Sequence, residues 1–111
     1  MAGKFELKKS KKGQFMFNLK ASNGQVILSS EQYLEKTGAE DGIESVRKNA
    51  GDDANYEAKT SNKNQPFFVL KAANGQIIGK SEMYSTVSAM RKGMNSVKAN
   101  APTAKVTDLT A

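Results

Sequence analysis

The chain contains no cysteine and no histidine. The first absence removes disulfides, thiolate nucleophiles and sulfur-bound metals together. The second removes the side chain that most often acts as a base near neutral pH. Tryptophan is absent too, aromatics make up 7% of the residues, and the only prolines are Pro66 and Pro102. No apolar run exceeds a few residues, so none is long enough to span a bilayer. The opening MAGKFELKKSKK lacks the apolar middle of a secretory signal. With no cysteine to oxidise, a reducing cytoplasm is the expected compartment.

Motifs that would bring chemistry are missing as well. No serine stands in G-x-S-x-G, and neither G-x-x-x-x-G-K-[ST] nor G-x-G-x-x-G occurs. Glu40, Asp41 and Glu44, with Asp52 and Asp53 beyond, are the only grouping that suggests oxygen ligands for a hard cation. Their spacing fits no EF-hand loop, and they read as a solvated acidic helix face. The sequence therefore predicts no enzyme, no metal and no cofactor.

What is present is ordinary globular material: 38% hydrophobic and 25% charged residues in 111, enough for one domain. It is also written twice. LKASNGQVI begins at Leu19 and LKAANGQII at Leu70, and the same offset extends the match without a gap. It aligns Glu6 with Glu57, Phe17 with Phe68, Tyr33 with Tyr84, Gly42 with Gly93, Val46 with Val97 and Asn49 with Asn100. This is an internal duplication.

Each copy predicts the same elements. Lys4–Lys9 alternates, with Phe5 and Leu7 on one face and Lys4, Glu6 and Lys8 on the other. After a polar turn, Phe15, Phe17 and Leu19 alternate with Met16, Asn18 and Lys20. Asn23-Gly24 is a strong signal for a two-residue type I′ turn, returning the chain along Val26–Ser29. That register sets Leu19 against Leu28, Ala21 against Val26 and Lys20 against Ile27. The period then changes to 3.6: Ala39, Ile43, Val46 and Ala50 form one helical stripe, and Met90, Met94, Val97 and Ala101 its counterpart. Ser85 with Ser88 suits the start of the second helix. Asn49 and Asn100 suit a left-handed residue at each helix end.

A glycine inside a helix costs about 1 kcal/mol relative to alanine, so Gly42 and Gly93 need a reason. The reason expected from sequence is a close helix–helix contact along the two small-residue ridges. Lys105–Leu109 is a further alternating run, with Val106 falling over Tyr56 and Phe5 once one residue is dropped. A closing half-repeat would protect an edge strand. The fold expected is α+β: two tandem strand-strand-strand-helix-strand repeats forming one mostly antiparallel sheet, with two helices on one face and pseudo-two-fold symmetry. The repeats span about 3–53 and 54–104, the closing strand about 105–110, and the whole is one domain. A monomer with an internal pseudo-dimer follows.

The tandem pattern F-x-F-x-L-K-A-x-N-G-Q-x-I, followed by S-E-x-Y and a helix ending S-V-[KR]-x-N-A, resembles the YegP-like family of small bacterial proteins. Repeat two departs from the pattern at Pro66 and Gly79, where repeat one has Phe15 and Leu28. The resemblance implies terminal strands exchanged between the two units, and dimerisation in relatives with a single repeat. It implies no activity and no catalytic residues.

The net charge of +6 is unevenly placed. Residues 1–53 carry nine Lys+Arg and eight Asp+Glu (9 − 8 = +1), and residues 54–111 carry eight and three (8 − 3 = +5). If both helices cover one side of the sheet, the other side presents Lys20, Ile27, Phe67, Val69, Lys71, Ile78 and Lys80. That face is the expected docking surface for a protein partner or for self-association. Weak, sequence-independent nucleic-acid binding by the basic second repeat is the alternative.

Overall fold

The computed structural model describes residues 3–110. In chain order the elements are β1 (Lys4–Lys9), β2 (Phe15–Lys20), β3 (Val26–Ser29), α1 (Lys36–Asn49), β4 (Tyr56–Thr60), β5 (Pro66–Lys71), β6 (Ile77–Lys80), α2 (Val87–Asn100) and β7 (Lys105–Asp108). Short 3-10 segments, Asp53–Asn55 and Ala101–Thr103, follow the two helices. The seven strands form one sheet in the order β4-β5-β6-β3-β2-β1-β7, antiparallel except where β7 runs parallel to β1. Each helix is followed by a strand that joins the opposite half of the sheet: β4 extends β5, and β7 extends β1. This is the expected α+β architecture with exchanged terminal strands.

The two halves meet where β3 and β6 pair through Ser29 and Lys80. Those residues are equivalent in the repeat, so the approximate dyad passes between them. Two equivalent large side chains beside a dyad would compete for one space. Here Leu28 takes it. Its counterpart is Gly79, where an added Cβ would stand 2.5 Å from Leu28 Cδ2 and 2.7 Å from Cγ. The departure at Gly79 thus resolves a collision created by the doubling.

The helices cover the face that carries Phe5, Leu7, Phe17, Leu19, Phe68 and Leu70, all buried. The ring packing is repeated: Phe17 stacks on Tyr33 and Phe68 on Tyr84, each pair with centroids 6.4 Å apart. These rings correct the reading of the helical glycines. A Cβ on Gly42 would lie 2.7 Å from Tyr33 Oη and 2.9 Å from Phe17 Cε2; one on Gly93 would collide with Tyr84 Oη. Gly42 and Gly93 seat each helix on its own half's tyrosine. They are not a helix–helix contact.

Other local expectations also change. The hairpins close as three-residue loops: Gly24 N–H donates to Ala21 O and Ala21 N–H to Gln25 O, with Gly24 alone at positive φ (86°). Asn23 Oδ1 accepts from Gln25 N–H, which holds Asn23 out of the left-handed region that a type I′ turn requires. Leu19 does face Leu28, but Lys20 then faces Val26, leaving Ile27 as a bulge. Repeat two has the same shift at Leu70/Lys71. α2 is capped by Thr86, not Ser85: its Oγ1 accepts from Ala89 N–H at 3.0 Å. Neither Asn49 nor Asn100 is left-handed. Their amides donate back to Ser45 O and Ser96 O, and Asn100 Oδ1 accepts from Gly3 N–H, tying the start of the chain to the end of α2.

Closure is the largest correction. β7 lengthens the sheet instead of closing it, and β4 and β7 remain as edges. The position beside β2 that symmetry offers to β7 is already held by β1. β7 therefore adds one place farther out. The dyad is broken there, and nowhere else in the sheet order.

Candidate functional site

The outer sheet face offers less apolar surface than its alternation suggests. Ile27, Val69 and Ile78 are 5%, 3% and 6% exposed. Val69 stands on a central strand with neighbours on both sides, whereas Ile27 and Ile78, at the two register shifts, pack into the core cluster with Leu28. Lys20 joins Lys4 and Lys8 around Glu6, with Lys20 Nζ 3.0 Å from Glu6 Oε1. Lys71 and Lys59 surround Glu57 in the same way. The hydrogen bond from Lys20, aided by the three ammonium charges, holds the Glu6 carboxyl below its ordinary value. Lys80 is exposed, its Nζ 5.0 Å above the half-buried Phe67 ring. The seven residues do not form one open patch: Ile27 and Ile78 pack into the core cluster, and the aliphatics paired with Lys20 and Lys71 are Val26 and the exposed Ile77.

The acidic candidates do not converge. Glu44 pairs with Arg47, and Asp53 pairs with Lys98. Among the described residues no three carboxylates form a metal-binding group.

A feature the sequence did not flag lies on the helix side, where the symmetry fails. In the first half, Phe5 and Leu7 are buried, with α1 packed on β1 and β7 paired along its edge. β7 is held there by several bonds. Lys36 Nζ is 2.6 Å from Asp108 Oδ2, Arg47 Nη2 donates to Ala104 O at 2.5 Å, and Leu109 N–H donates to Leu7 O at 2.8 Å. The bonds from Lys36 and Thr110 keep the Asp108 carboxyl far below the usual range.

In the second half no described residue fills the equivalent space. A groove of about 500 Å³ runs between β4 and α2, lined by Tyr56, Ala58, Met90, Arg91, Met94 and Lys98 among others. Position for position, buried Leu7 becomes exposed Ala58, and buried Ile43 becomes half-exposed Met94. Tyr56 replaces Phe5 and donates its hydroxyl to Ala50 O at 2.7 Å. Desolvation there pushes the Tyr56 hydroxyl well above its ordinary value. Lys98 lies 5.5 Å over the Tyr56 ring, as Arg47 lies 5.5 Å over Phe5. The signal for this groove was available in the sequence: three opening strands but only two helices. Which copy would be left uncovered was not.

The fold and this surface define a tandem-repeat α+β protein in which no metal-binding cluster assembles among the described residues. Its relationships agree with that class. The chain belongs to the family described as "Domain of unknown function (DUF1508)", whose profile matches twice, at residues 10–57 and 61–108. Each match runs from a hairpin through a helix into the strand beyond it. The unit of the family is thus the strand-exchanging one, with β1 as an addition. The UPF0339 protein YegP of Yersinia pestis is 52% identical over 108 residues, covering 97% of this chain and 96% of that one. The solution structure of yegP from E. coli, described as a protein of unknown function, superposes with a TM-score of 0.95 at 52% identity. It spans 100% of this chain and 96% of its own. That of a UPF0339 protein from Shewanella oneidensis gives 0.93 at 50% identity, over 99% and 93%. None of these descriptions assigns an activity. Among the described residues no helix is long and apolar enough to cross a membrane.

Proposed function

We propose that the chain is a non-enzymatic, cytoplasmic accessory module, and that a protein partner docks in the groove between β4 and α2. One observation carries this reading: a seat that the first half fills with β7 is left open in the second half, with apolar side chains exposed in it. The outer sheet face supports docking less well, because Val69 is buried, Ile27 and Ile78 pack into the core, and Lys20 and Lys71 are engaged by glutamates. Nucleic-acid binding gains little there too, since Phe67 lies under Lys80 and is the face's single aromatic ring.

The test is a comparative capture with the tagged full-length chain, with and without nuclease. Partners that survive nuclease, are lost with Met94→Asp and are kept with Phe67→Asp would support the groove. Loss only with Phe67→Asp would return the site to the outer face. Loss on nuclease treatment would favour nucleic acid.

A further inference from the structure

We infer that the groove accepts an extended segment of a partner protein as an eighth strand, parallel to β4, with apolar residues facing α2 and a carboxylate reaching Arg91. The inference rests on the docking reading above and adds the mode and chemistry of recognition.

The structure already shows what covers the equivalent seat. β7 runs parallel to β1, pairing Val106 with Phe5 and Asp108 with Leu7. Leu7 offers its carbonyl to that strand, and a strand residue's N–H and C=O point to the same side, so the backbone groups of Ala58, its counterpart, point to the open edge. Thr60 does the same: it faces Pro66, whose carbonyl is turned away to accept from Tyr84 N–H. Tyr56 N–H is already used, bonded to Asp53 O. The free row is therefore Ala58 to Thr60, beside a groove with room for side chains. Strand addition to an exposed edge draws affinity from such a row and specificity from the adjoining pocket.

The chemistry of the segment follows from what differs between the seats. At the first seat Lys36 holds Asp108; Val87, 53% exposed, stands at that position in the second. Arg91 replaces Glu40, and Lys98 replaces Arg47. Asp53, the one acid lining the groove, is paired with Lys98. The seat thus offers apolar contact from Val87, Met90 and Met94 and an exposed cation at Arg91. A second copy fits poorly. Its β7 would have to leave β1 and give up the Asp108–Lys36 pair, and a β4-to-β4 contact would oppose Lys59 with its own image.

The experiment uses the isotope-labelled full-length chain and two synthetic peptides. One carries the sequence of residues 104–110, AKVTDLT, whose Asp108 faces the helix in the first seat; the other carries it with Asp108→Lys. The peptide that keeps Asp108 is expected to shift the Ala58, Thr60 and Arg91 amides saturably, and to bind about tenfold more tightly than the other at low salt. Arg91→Glu, a surface change that leaves folding intact, should invert that preference. Ala58→Pro, which removes a donor only from the open edge, should abolish binding of both. The inference is overturned if neither peptide gives saturable shifts at millimolar concentration, if shifts map to Phe67 and Lys80, or if Arg91→Glu leaves the preference unchanged. It is also overturned if the mass of the free chain doubles with concentration through β4. A partner capture lost with Met94→Asp but indifferent to Ala58→Pro and Arg91→Glu would sink strand addition while leaving the groove as the docking site.

Discussion

Exchanging the residues of the dyad pair, Leu28→Gly with Gly79→Leu, moves the leucine to the other half and should restore most of what each change removes. The single changes are costly for different reasons. Leu28 is fully buried, so Leu28→Gly loses about 3–5 kcal/mol of transfer and cavity energy and about 0.5–1 more for glycine in a strand. Gly79→Leu forces atoms into Leu28, since even a Cβ meets Cδ2 at 2.5 Å and Cδ1 at 3.0 Å. Overpacking of that kind costs about 1–3 kcal/mol. Independent effects would sum to roughly 4.5–9 kcal/mol, near the whole stability of a domain this size. If the two halves are equivalent, the leucine on β6 finds the hollow that Leu28 left, and the double variant lies within about 1–2 kcal/mol of the parent. Urea unfolding followed by circular dichroism reads this directly, because with a slope of about 2 kcal/mol per molar a loss of 2 kcal/mol moves the midpoint by about 1 M. Milder Leu28→Ala and Gly79→Ala arms keep the cycle measurable if a single variant does not fold. A double variant as unstable as the sum of its singles would refute the symmetry argument.

Other consequences are smaller. Gly93→Ala should cost about 1–3 kcal/mol in the same assay, because a methyl group there meets the Tyr84 hydroxyl; an unchanged midpoint would contradict the seating of α2 on that ring. Glu6 has its pKa lowered by Lys20 and its companions, so its stabilisation is present above the ordinary value of 4.5 and fades as the pH falls through the lowered one. Glu6→Gln should therefore lower the urea midpoint at pH 7 and have less effect near pH 3, and an equal loss at both would remove the ion-pair explanation. Tyr56→Phe deletes the hydrogen bond to Ala50 O and should cost about 1 kcal/mol. Because the Tyr56 hydroxyl is raised, its contribution holds below the ordinary tyrosine value of 10.0 and is lost at higher pH. Tyr56→Phe should flatten the alkaline fall in stability, measured by thermal melts across pH 8–11.

The duplication was legible because matching residues at one offset demand matching elements, and the alternation of Phe15, Phe17 and Leu19 and the helical stripe from Ala39 to Ala50 fixed what those elements were. Less was legible where one residue had two adequate solutions. Asn23-Gly24 can supply two positive-φ residues or one, and the bond from Gln25 N–H to Asn23 Oδ1 selects one, which shifts Ile27 into a bulge. Gly42 permits close approach, but the pattern does not say of what; the answer is a tyrosine from the same half. Alternation also assigns Ile27 and Ile78 to the outer face, whereas the register shift beside each hairpin takes them into the core cluster, and it does not say how far a central strand buries Val69. The groove escaped notice because a strand's neighbours are set by competition. β1 occupies the place that symmetry reserves for β7, and only the assembled sheet shows which edge is left without a partner.

Amide hydrogen exchange at Leu7 and Ala58 tests that broken symmetry most directly, since the two residues are equivalent in the repeat and differ in having β7 beside one of them. Leu7 should be protected nearly to the level of global unfolding, while Ala58 exchanges orders of magnitude faster. Equal, strong protection at both would mean that the β4 edge is already covered in the free protein, and no vacant seat would remain for a partner.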